Sequence, residues 1–316
     1  MGKEIKINNQ VIAPGEEALI NINVGKLPIG HRIYIKVNVY NAEKEGPVVL
    51  FMGGLHGDEV NGVETLKRAI HSGVFKDPDC GTVIAISLLN VYGFLNFSRS
   101  MPDGKDVNRS FPGNANGSLA SRVAAVLSRK ILPIVDFGVD FHTGADNRYN
   151  YPQIRINPND DTSVELARAF NAPIYFPQNV IAKSFRKTAK NQNIPIIVYE
   201  GGEALRLDEY AINVAMEGIK NMLSYFNIKP FQPTIKEMVS FDRSSWIRAS
   251  VAGLFNSFYK SGQYVEKGVP IGSISDPFGD SMRIVSASRD GFIIGHNNLA
   301  VVNQGDALFH IAYHNK

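Results

Sequence analysis

The feature that most restricts the fold of this chain is a set of three short, largely apolar runs, at 48–52, 135–141 and 194–199. Their length and the glycines that follow them are typical of buried strands. Helix-like segments alternate with the runs, for example at 60–71, 119–131 and 210–226. This alternation indicates an α/β sheet covered by helices. Because functional groups in such sheets gather at the carboxyl ends of strands, the residues that follow the three runs are the first candidates for a site.

A stretch with two prolines, 227–234, separates this α/β pattern from a different one. We predict a catalytic domain over 1–230, which begins with a β segment over 1–45 where polar and apolar residues alternate as in half-buried strands. A second domain over 238–316 consists of short strand-like pieces and glycine turns. The predicted fold class is therefore α/β, with a mixed central sheet flanked by helices and a smaller C-terminal all-β sandwich domain.

The C-terminal domain contains an internal repeat, because residues 265–274 align with 302–311. Two similar halves suggest a small pseudo-symmetric sandwich, similar to biotinyl- and lipoyl-carrier domains. Such carriers modify a lysine between the halves, whereas 275–300 contains no lysine. We therefore expect this domain to shape the mouth of an active site, and we expect Trp246 to pack in a core or between the domains.

A metal site is the first candidate at the strand ends. His56 and Glu59 follow the first apolar run, and His142 ends the second. Two histidines and one glutamate, with a fourth position open, are a common ligand set for catalytic zinc. The first pair alone also fits an ordinary helix N-terminus, but the third ligand at another strand end favours convergence. Asp140 shares a strand face with His142 and either orients its imidazole or pairs with a backbone amide.

The third apolar run ends in Glu200, which we predict to be a general acid and base. Glu203 is a competing choice, but it lies beyond a glycine pair, where we expect it to be at the surface. The loop-like segment 90–113 adds two arginines, Arg99 and Arg109. Guanidinium groups bind carboxylates with two hydrogen bonds and stabilise a developing oxyanion, although surface loops often contain arginine as well.

Taken together, these motifs resemble the succinylglutamate desuccinylase/aspartoacylase family, which belongs to the wider zinc carboxypeptidase clan. The resemblance extends over roughly residues 10–225 and implies a zinc carboxypeptidase-like fold. It rests on four ordered motifs, namely Gly-Gly-x-His-Gly-Asp-Glu at 53–59, Asp-Val-Asn-Arg-Ser-Phe-Pro-Gly at 106–113, Asp-Phe-His-Thr-Gly at 140–144 and Glu-Gly-Gly at 200–202.

The resemblance implies a role for each candidate residue. One zinc ion per chain would be bound by His56, Glu59 and His142, and Glu200 would be the general acid/base. Asn108 and Arg109 match the pair that binds a substrate carboxylate.

Two further arginines are assigned by the same resemblance. Arg99 lies near the position of the arginine that polarises the scissile carbonyl. Arg186 resembles a further substrate-contacting arginine, although an exposed basic turn is the alternative there.

We therefore expect a zinc-dependent deacylase that cleaves the amide bond of a small N-acyl amino acid or a related carboxylate-bearing amide. A carboxypeptidase for short peptides and a non-catalytic binding protein of the same fold are the alternatives. The net charge of +3, from 33 basic and 30 acidic residues, is too balanced to suggest nucleic acid or a membrane as partner. With one cysteine and no apolar signal segment, a cytoplasmic location is expected, and homo-oligomerisation is left open.

Overall fold

The structure, a computed structural model, describes residues 2–314. Over these residues it contains a thirteen-stranded mixed sheet, a four-stranded antiparallel sheet and a two-stranded N-terminal ribbon. The strands are β1 (Ile5–Ile7), β2 (Gln10–Ile12), β3 (Glu17–Lys26), β4 (Arg32–Asn41), β5 (Val48–Gly53), β6 (Thr82–Ile86), β7 (Phe137–Gly144), β8 (Arg148–Ile156), β9 (Ile174–Pro177), β10 (Ile196–Glu203), β11 (Val239–Ser240), β12 (Arg243–Arg248), β13 (Gly253–Ser257), β14 (Tyr264–Val265), β15 (Pro270–Ser275), β16 (Met282–Ser286), β17 (Gly291–Asn297), β18 (Val301–Val302) and β19 (Ala307–Tyr313).

Helices cover the large sheet, so the predicted fold class is confirmed. The helices are α1 (Val60–His71), α2 (Val91–Leu95), α3 (Leu119–Val126), α4 (Asp161–Phe170), α5 (Phe185–Asn191) and α6 (Glu209–Tyr225), with short 3₁₀ turns at Val107–Arg109 and Leu132–Ile134. The helix predicted over 60–71 has the predicted bounds, and the one predicted over 210–226 begins and ends one residue earlier. A third predicted segment, 119–131, is α3 followed by a π-helical turn at Leu127–Ile131. No helix among the described residues is both long and apolar enough to cross a membrane.

The centre of the sheet consists of parallel neighbours in the order β6, β5, β7 and β10. These strands are apolar because both of their faces are covered. In β5, for example, Leu50 packs into the core on one side of the sheet and Phe51 into the core on the other. The three apolar runs of the sequence are thus adjacent strands, and their carboxyl ends lie at one edge.

The C-terminal β unit, residues 238–314, is joined to this sheet by strand pairing. The end of β17 pairs antiparallel with the start of β8, and β19 and β12 follow outward, so these strands extend the central sheet. The strands β16, β15, β13 and β18 form the separate sheet, and a core that includes Phe255, Ile271 and Phe309 lies within the unit. A domain division near residue 230 stays a prediction, because backbone hydrogen bonds cross it.

This pairing predicts that the α/β part does not fold stably alone. A chain ending at Lys236 would lose the partner of β8 at Arg148–Asn150 and expose its unpaired edge. We expect it to unfold at a clearly lower temperature than the full chain, or to aggregate, when followed by calorimetry and light scattering. Phe278→Ser, at a residue 87% exposed in the β15–β16 turn, is a control that removes no strand pairing. A truncated chain with the full-length midpoint would contradict this prediction.

Candidate active site

The three predicted metal ligands converge at the carboxyl edge of the sheet. Glu59 is the N-cap residue of α1, and its Oε1 and Oε2 lie 2.7 Å from Nδ1 of His56 and 2.7 Å from Nδ1 of His142, respectively. The ligand atoms of the three residues are all within 4.8 Å of one another, and all three residues are buried. Gly57 lets the ligand loop approach α2, because a Cβ at this position would lie 2.0 Å from the carbonyl carbon of Gly93. The predicted convergence is confirmed.

Two aspartates hold the outer nitrogens of the histidines. Nε2 of His142 is 2.8 Å from Oδ2 of Asp140, and Nε2 of His56 is 3.3 Å from Oδ1 of Asp106. The other oxygen of Asp140 is buried and has no hydrogen-bond partner among the described residues, so the proposed pairing with a backbone amide is wrong. The hydrogen bond to Asp140 fixes which nitrogen of His142 faces Glu59, whereas the contact between His56 and Asp106 is a charge contact without a hydrogen bond.

The charges of the cluster suit a divalent cation. Burial lowers the pKa of His142, but Asp140 and Glu59 outweigh burial and hold this pKa well above its usual value. Burial raises the pKa of Glu59, yet the two histidines outweigh it and hold this pKa well below its usual value. Two imidazole nitrogens and a carboxylate thus face one point in a site that favours positive charge. This donor set fits zinc, whose binding would release protons from the histidines.

Glu200 lies directly beside the metal cluster. It is opposite His142 in the parallel register of β10 and β7, so both side chains are on the same face of the sheet. The side chain is buried, and its Oε1 is 2.8 Å from Nη1 of Arg155, while its Oε2 accepts a hydrogen bond of 2.8 Å from Nδ2 of Asn150. Neither partner was anticipated from the sequence. Arg155, a charge between Ile154 and Ile156, was the available signal.

Glu203 is not at the surface, so that prediction was wrong. It is 4% exposed, because β10 continues through the glycine pair with a shift in register instead of ending there. Its Oε2 accepts a hydrogen bond of 2.6 Å from Asn298. Glu200 lines the cavity described below, whereas Glu203 does not.

Arg99 contacts two acidic groups of the site. Its Nη1 donates to Oε1 of Glu59 at 3.2 Å, and its Nη2 is 3.1 Å from Oδ2 of Asp106. Burial raises the pKa of Asp106, but His56 and Arg99 outweigh burial and hold this pKa well below its usual range. Asp106 is therefore a charged bridge between a metal-ligand histidine and an arginine, a role that the sequence motif did not reveal.

The other predicted substrate contacts line the same cavity. Oδ1 of Asn108 accepts a hydrogen bond of 2.9 Å from the backbone N–H of Phe185, which leaves the amide NH₂ group of Asn108 available. Arg109 is exposed, and its Nη1 donates to the carbonyl oxygen of Asn108 at 2.8 Å. No ion pair to Arg109 occurs within residues 2–314.

Arg186 is buried, so the alternative of an exposed basic turn is wrong. Its guanidinium donates to three backbone carbonyls, those of Arg155, Gln178 and Asn179. Burial and the neighbouring charge of Arg155 lower the pKa of Arg186 to about 10, so it keeps its charge at pH 7. A buried cation whose hydrogen-bond partners here are neutral carbonyls favours an anionic ligand.

These side chains surround a cavity of about 260 Å³, and the C-terminal β unit contributes one wall. Trp246 of β12 lines it and stacks on His310 of β19, with ring centroids 4.4 Å apart and planes 10° from parallel. Trp246 is half-buried and its stacking partner lies in the same unit, so packing of Trp246 between the two parts of the chain stays a prediction. The contact that supports it is the guanidinium of Arg148, whose central carbon is 5.9 Å from the centre of the Trp246 ring. His310 is buried, whereas His314 is largely exposed.

Comparison with known proteins identifies the family. Residues 45–226 match the model of the succinylglutamate desuccinylase/aspartoacylase catalytic domain. The chain belongs to this family. With membership, the predicted activity is confirmed at family level: the protein is an amidohydrolase, a deacylase of N-acyl amino acids, with a buried His-Glu-His metal site.

Individual members of the family resemble the whole chain. A curated relative is the N-alpha-acetyl-L-2,4-diaminobutyric acid deacetylase of Halomonas elongata. It is 28% identical to this chain over 310 residues, an alignment that covers 91% of this chain and 90% of the relative. The product-bound structure of the ectoine utilization protein EutE (DoeB) from Ruegeria pomeroyi has a TM-score of 0.86 at 21% identity, covering 98% of both chains. A succinylglutamate desuccinylase/aspartoacylase structure from Rhodobacter sphaeroides has a TM-score of 0.83 at 22% identity, covering 95% of both. At these identities the structures show a common fold.

The geometry predicts which substitutions remove the metal. His56→Ala should lose the ion and keep the fold, because one of three ligands is removed while the core is unchanged. Metal content by elemental analysis and the circular dichroism spectrum check the two expectations. His310→Ala, at a buried histidine outside the cluster, should retain full metal content. Stoichiometric metal in the double variant His56→Ala/His142→Ala would refute the ligand assignment.

Proposed function

We propose that this family member is a zinc-dependent hydrolase that removes the acyl group from a small N-acyl amino acid. The observation that carries the proposal is that Glu200 is opposite His142 on the adjacent strand, while both line one cavity with the arginines that an anionic substrate needs. We assign zinc to His56, Glu59 and His142, because the donor set and the aspartates behind the histidines suit it. Zinc, when bound, would supply Lewis-acid activation of the attacking water and of the scissile carbonyl.

In this proposal Glu200 is the general base and then the general acid. Its carboxylate takes a proton from the attacking water and returns it to the leaving nitrogen. Arg99 holds the developing oxyanion, for which its position next to Glu59 is the support.

We assign the substrate carboxylate to Asn108 and Arg109. Two observations support the assignment. The amide NH₂ group of Asn108 is available, and the exposed guanidinium of Arg109 has no ion-pair partner among residues 2–314. Arg186 is a third contact for negative charge, because it is buried at the cavity against neutral carbonyls.

The identity of the acyl group and of the amino acid in the substrate is a finer question. The name of the Halomonas relative makes N-acetyl amino acids the first substrates to test. The acidic residues of the cavity, Glu59, Asp140 and Glu200, are each paired with a basic side chain. Apart from Arg155, which pairs with Glu200, the lining contains four arginines, namely Arg99, Arg109, Arg148 and Arg186. We therefore propose that substrates with acidic or neutral side chains fit better than N-acetyl-2,4-diaminobutyrate, which a panel of N-acetyl, N-succinyl and N-formyl amino acids will decide.

The alternatives receive less support. A carboxypeptidase needs a groove for a peptide, whereas Trp246 forms a wall of a cavity of about 260 Å³. A non-catalytic binding protein does not need the buried His-Glu-His cluster or Glu200 beside it. A cytoplasmic location and the absence of nucleic-acid and membrane partners stay predictions from composition, and homo-oligomerisation stays open.

The assignment of Glu200 as the general base predicts how turnover changes when one carboxylate oxygen is replaced by an amide nitrogen. Glu200→Gln keeps the size of the side chain but cannot take up a proton, so turnover should fall by about 10²-fold or more. Zinc content and substrate affinity should be nearly unchanged. Steady-state and binding measurements on protein of confirmed metal content check this. The matched Glu203→Gln variant should lose much less turnover, and the reverse order would move the role to Glu203.

The carboxylate assignment predicts non-additive losses. Arg109→Ala should lower kcat/KM by about 10–100-fold, the value of a hydrogen bond to a charged group. A substrate amidated at the α-carboxylate should lose a similar factor with the unmodified protein and little more with Arg109→Ala. Arg129→Ala, an exposed arginine outside the cavity, is the control. If the two losses simply multiply, Arg109 does not contact that carboxylate.

A further inference from the structure

Both carboxylate oxygens of Glu200 are held by side chains of one neighbouring strand, β8. Oε1 forms an ion pair with Arg155, and Oε2 accepts a hydrogen bond from Asn150, each at 2.8 Å. Glu200 is 6% exposed and Asn150 4%, so little water competes for these contacts. Two donors on opposite oxygens fix the plane of a carboxylate, whereas one donor leaves it free to rotate.

An irregularity in β8 brings the two donors to the same side of the sheet. In the antiparallel register, Arg155 is opposite Val198 and Gln153 opposite Glu200, but Asn150 is opposite Gly202. Three steps along β8 thus match two steps along β10, which means that β8 contains one extra residue, a β-bulge. In a regular strand, residues 150 and 155 would be on opposite faces. The bulge turns Asn150 to the face of Glu200.

The C-terminal β unit supports Asn150 from the other side. In the register of β8 and β17, Gly295 is opposite Asn150, and in that of β17 and β19 it is opposite His310. A Cβ on Gly295 would be 3.0 Å from Oδ1 of Asn150 and 3.3 Å from Cβ of His310. The missing side chain therefore provides the space in which Asn150 lies, and any larger residue would push it toward β10.

We propose that Arg155 and Asn150 are positioning residues for Glu200, and that β17 of the C-terminal β unit determines the position of Asn150 through Gly295. The inference rests on the proposed role of Glu200 as the general base. Arg155 orients the carboxylate through its first oxygen, and Asn150 fixes the second oxygen. The C-terminal β unit thereby acts on the proton-transfer step from outside the catalytic residues.

Kinetics on the zinc-loaded full chain test the role of Arg155. Arg155→Ala should lower kcat by about 10–100-fold, the typical cost of a misplaced catalytic group, while KM changes little. Added guanidinium at a non-denaturing concentration should restore part of the lost kcat. In the Glu200→Gln background, Arg155→Ala should have almost no further effect on kcat. Arg68→Ala, which breaks a surface ion pair with Glu209, is the matched control and should leave kcat unchanged. If Arg155→Ala does not fold, Arg155→Lys keeps the charge and should retain the fold with reduced kcat.

A second cycle tests the contribution of the C-terminal β unit. Gly295→Ala should lower kcat less than Arg155→Ala does, and it should add little in the Asn150→Ala background because both act through one side chain. Independent effects of the two substitutions would overturn the role of β17.

Two other outcomes concern Arg155 and Glu200 themselves. A raised KM with unchanged kcat in Arg155→Ala would show that Arg155 binds substrate, and would overturn its positioning role. If Glu200→Gln alone leaves turnover unchanged, Glu200 is not the base. This result distinguishes a failure of the proposed function from a failure of the positioning roles.

Discussion

The site depends on one buried carboxylate, that of Glu59, which two imidazole nitrogens share. An uncompensated charge at 2% exposure would cost several kcal/mol, so the loop after β5 and the end of β7 must both be fixed around it. The charge of each histidine is compensated in turn, because an aspartate lies beside its outer nitrogen. Acidic and basic groups alternate along the contacts Asp140, His142, Glu59, His56, Asp106 and Arg99. The position of every member is therefore set by its neighbours, and a cation is the natural centre of the group.

The parts of this arrangement that local sequence reveals are those at the ends of parallel strands. His56, His142 and Glu200 each follow an apolar run, and the carboxyl ends of neighbouring parallel strands meet at one edge. Their proximity thus needs only the assumption of a parallel sheet. Helix bounds were predictable for the same reason, since periodicity and capping are local.

The parts that sequence did not reveal depend on register between distant segments. Asn150 reaches Glu200 only because of a bulge in β8, and no local pattern marks which residue of a strand is the extra one. Arg186 was compatible with an exposed turn from sequence alone, but in the fold it is buried and donates to the backbone carbonyl of Arg155 in β8. Glu203 was expected at the surface because a glycine pair was interpreted as the end of β10. The C-terminal β unit has the composition of a separate domain, yet five of its nine strands belong to the catalytic sheet.

The continuity of the sheet has a consequence for how substrate enters. A hinge between two domains normally opens at a linker with few contacts across it. Here a rigid rotation of the C-terminal β unit would break the hydrogen bonds between β8 and β17 and pull Trp246 from the cavity wall. Exchange of substrate and product is thus left to the mouth of the cavity, where exposed side chains such as Ile181 and Arg109 can move without disturbing the ladder. Gating by side chains is faster than gating by domains.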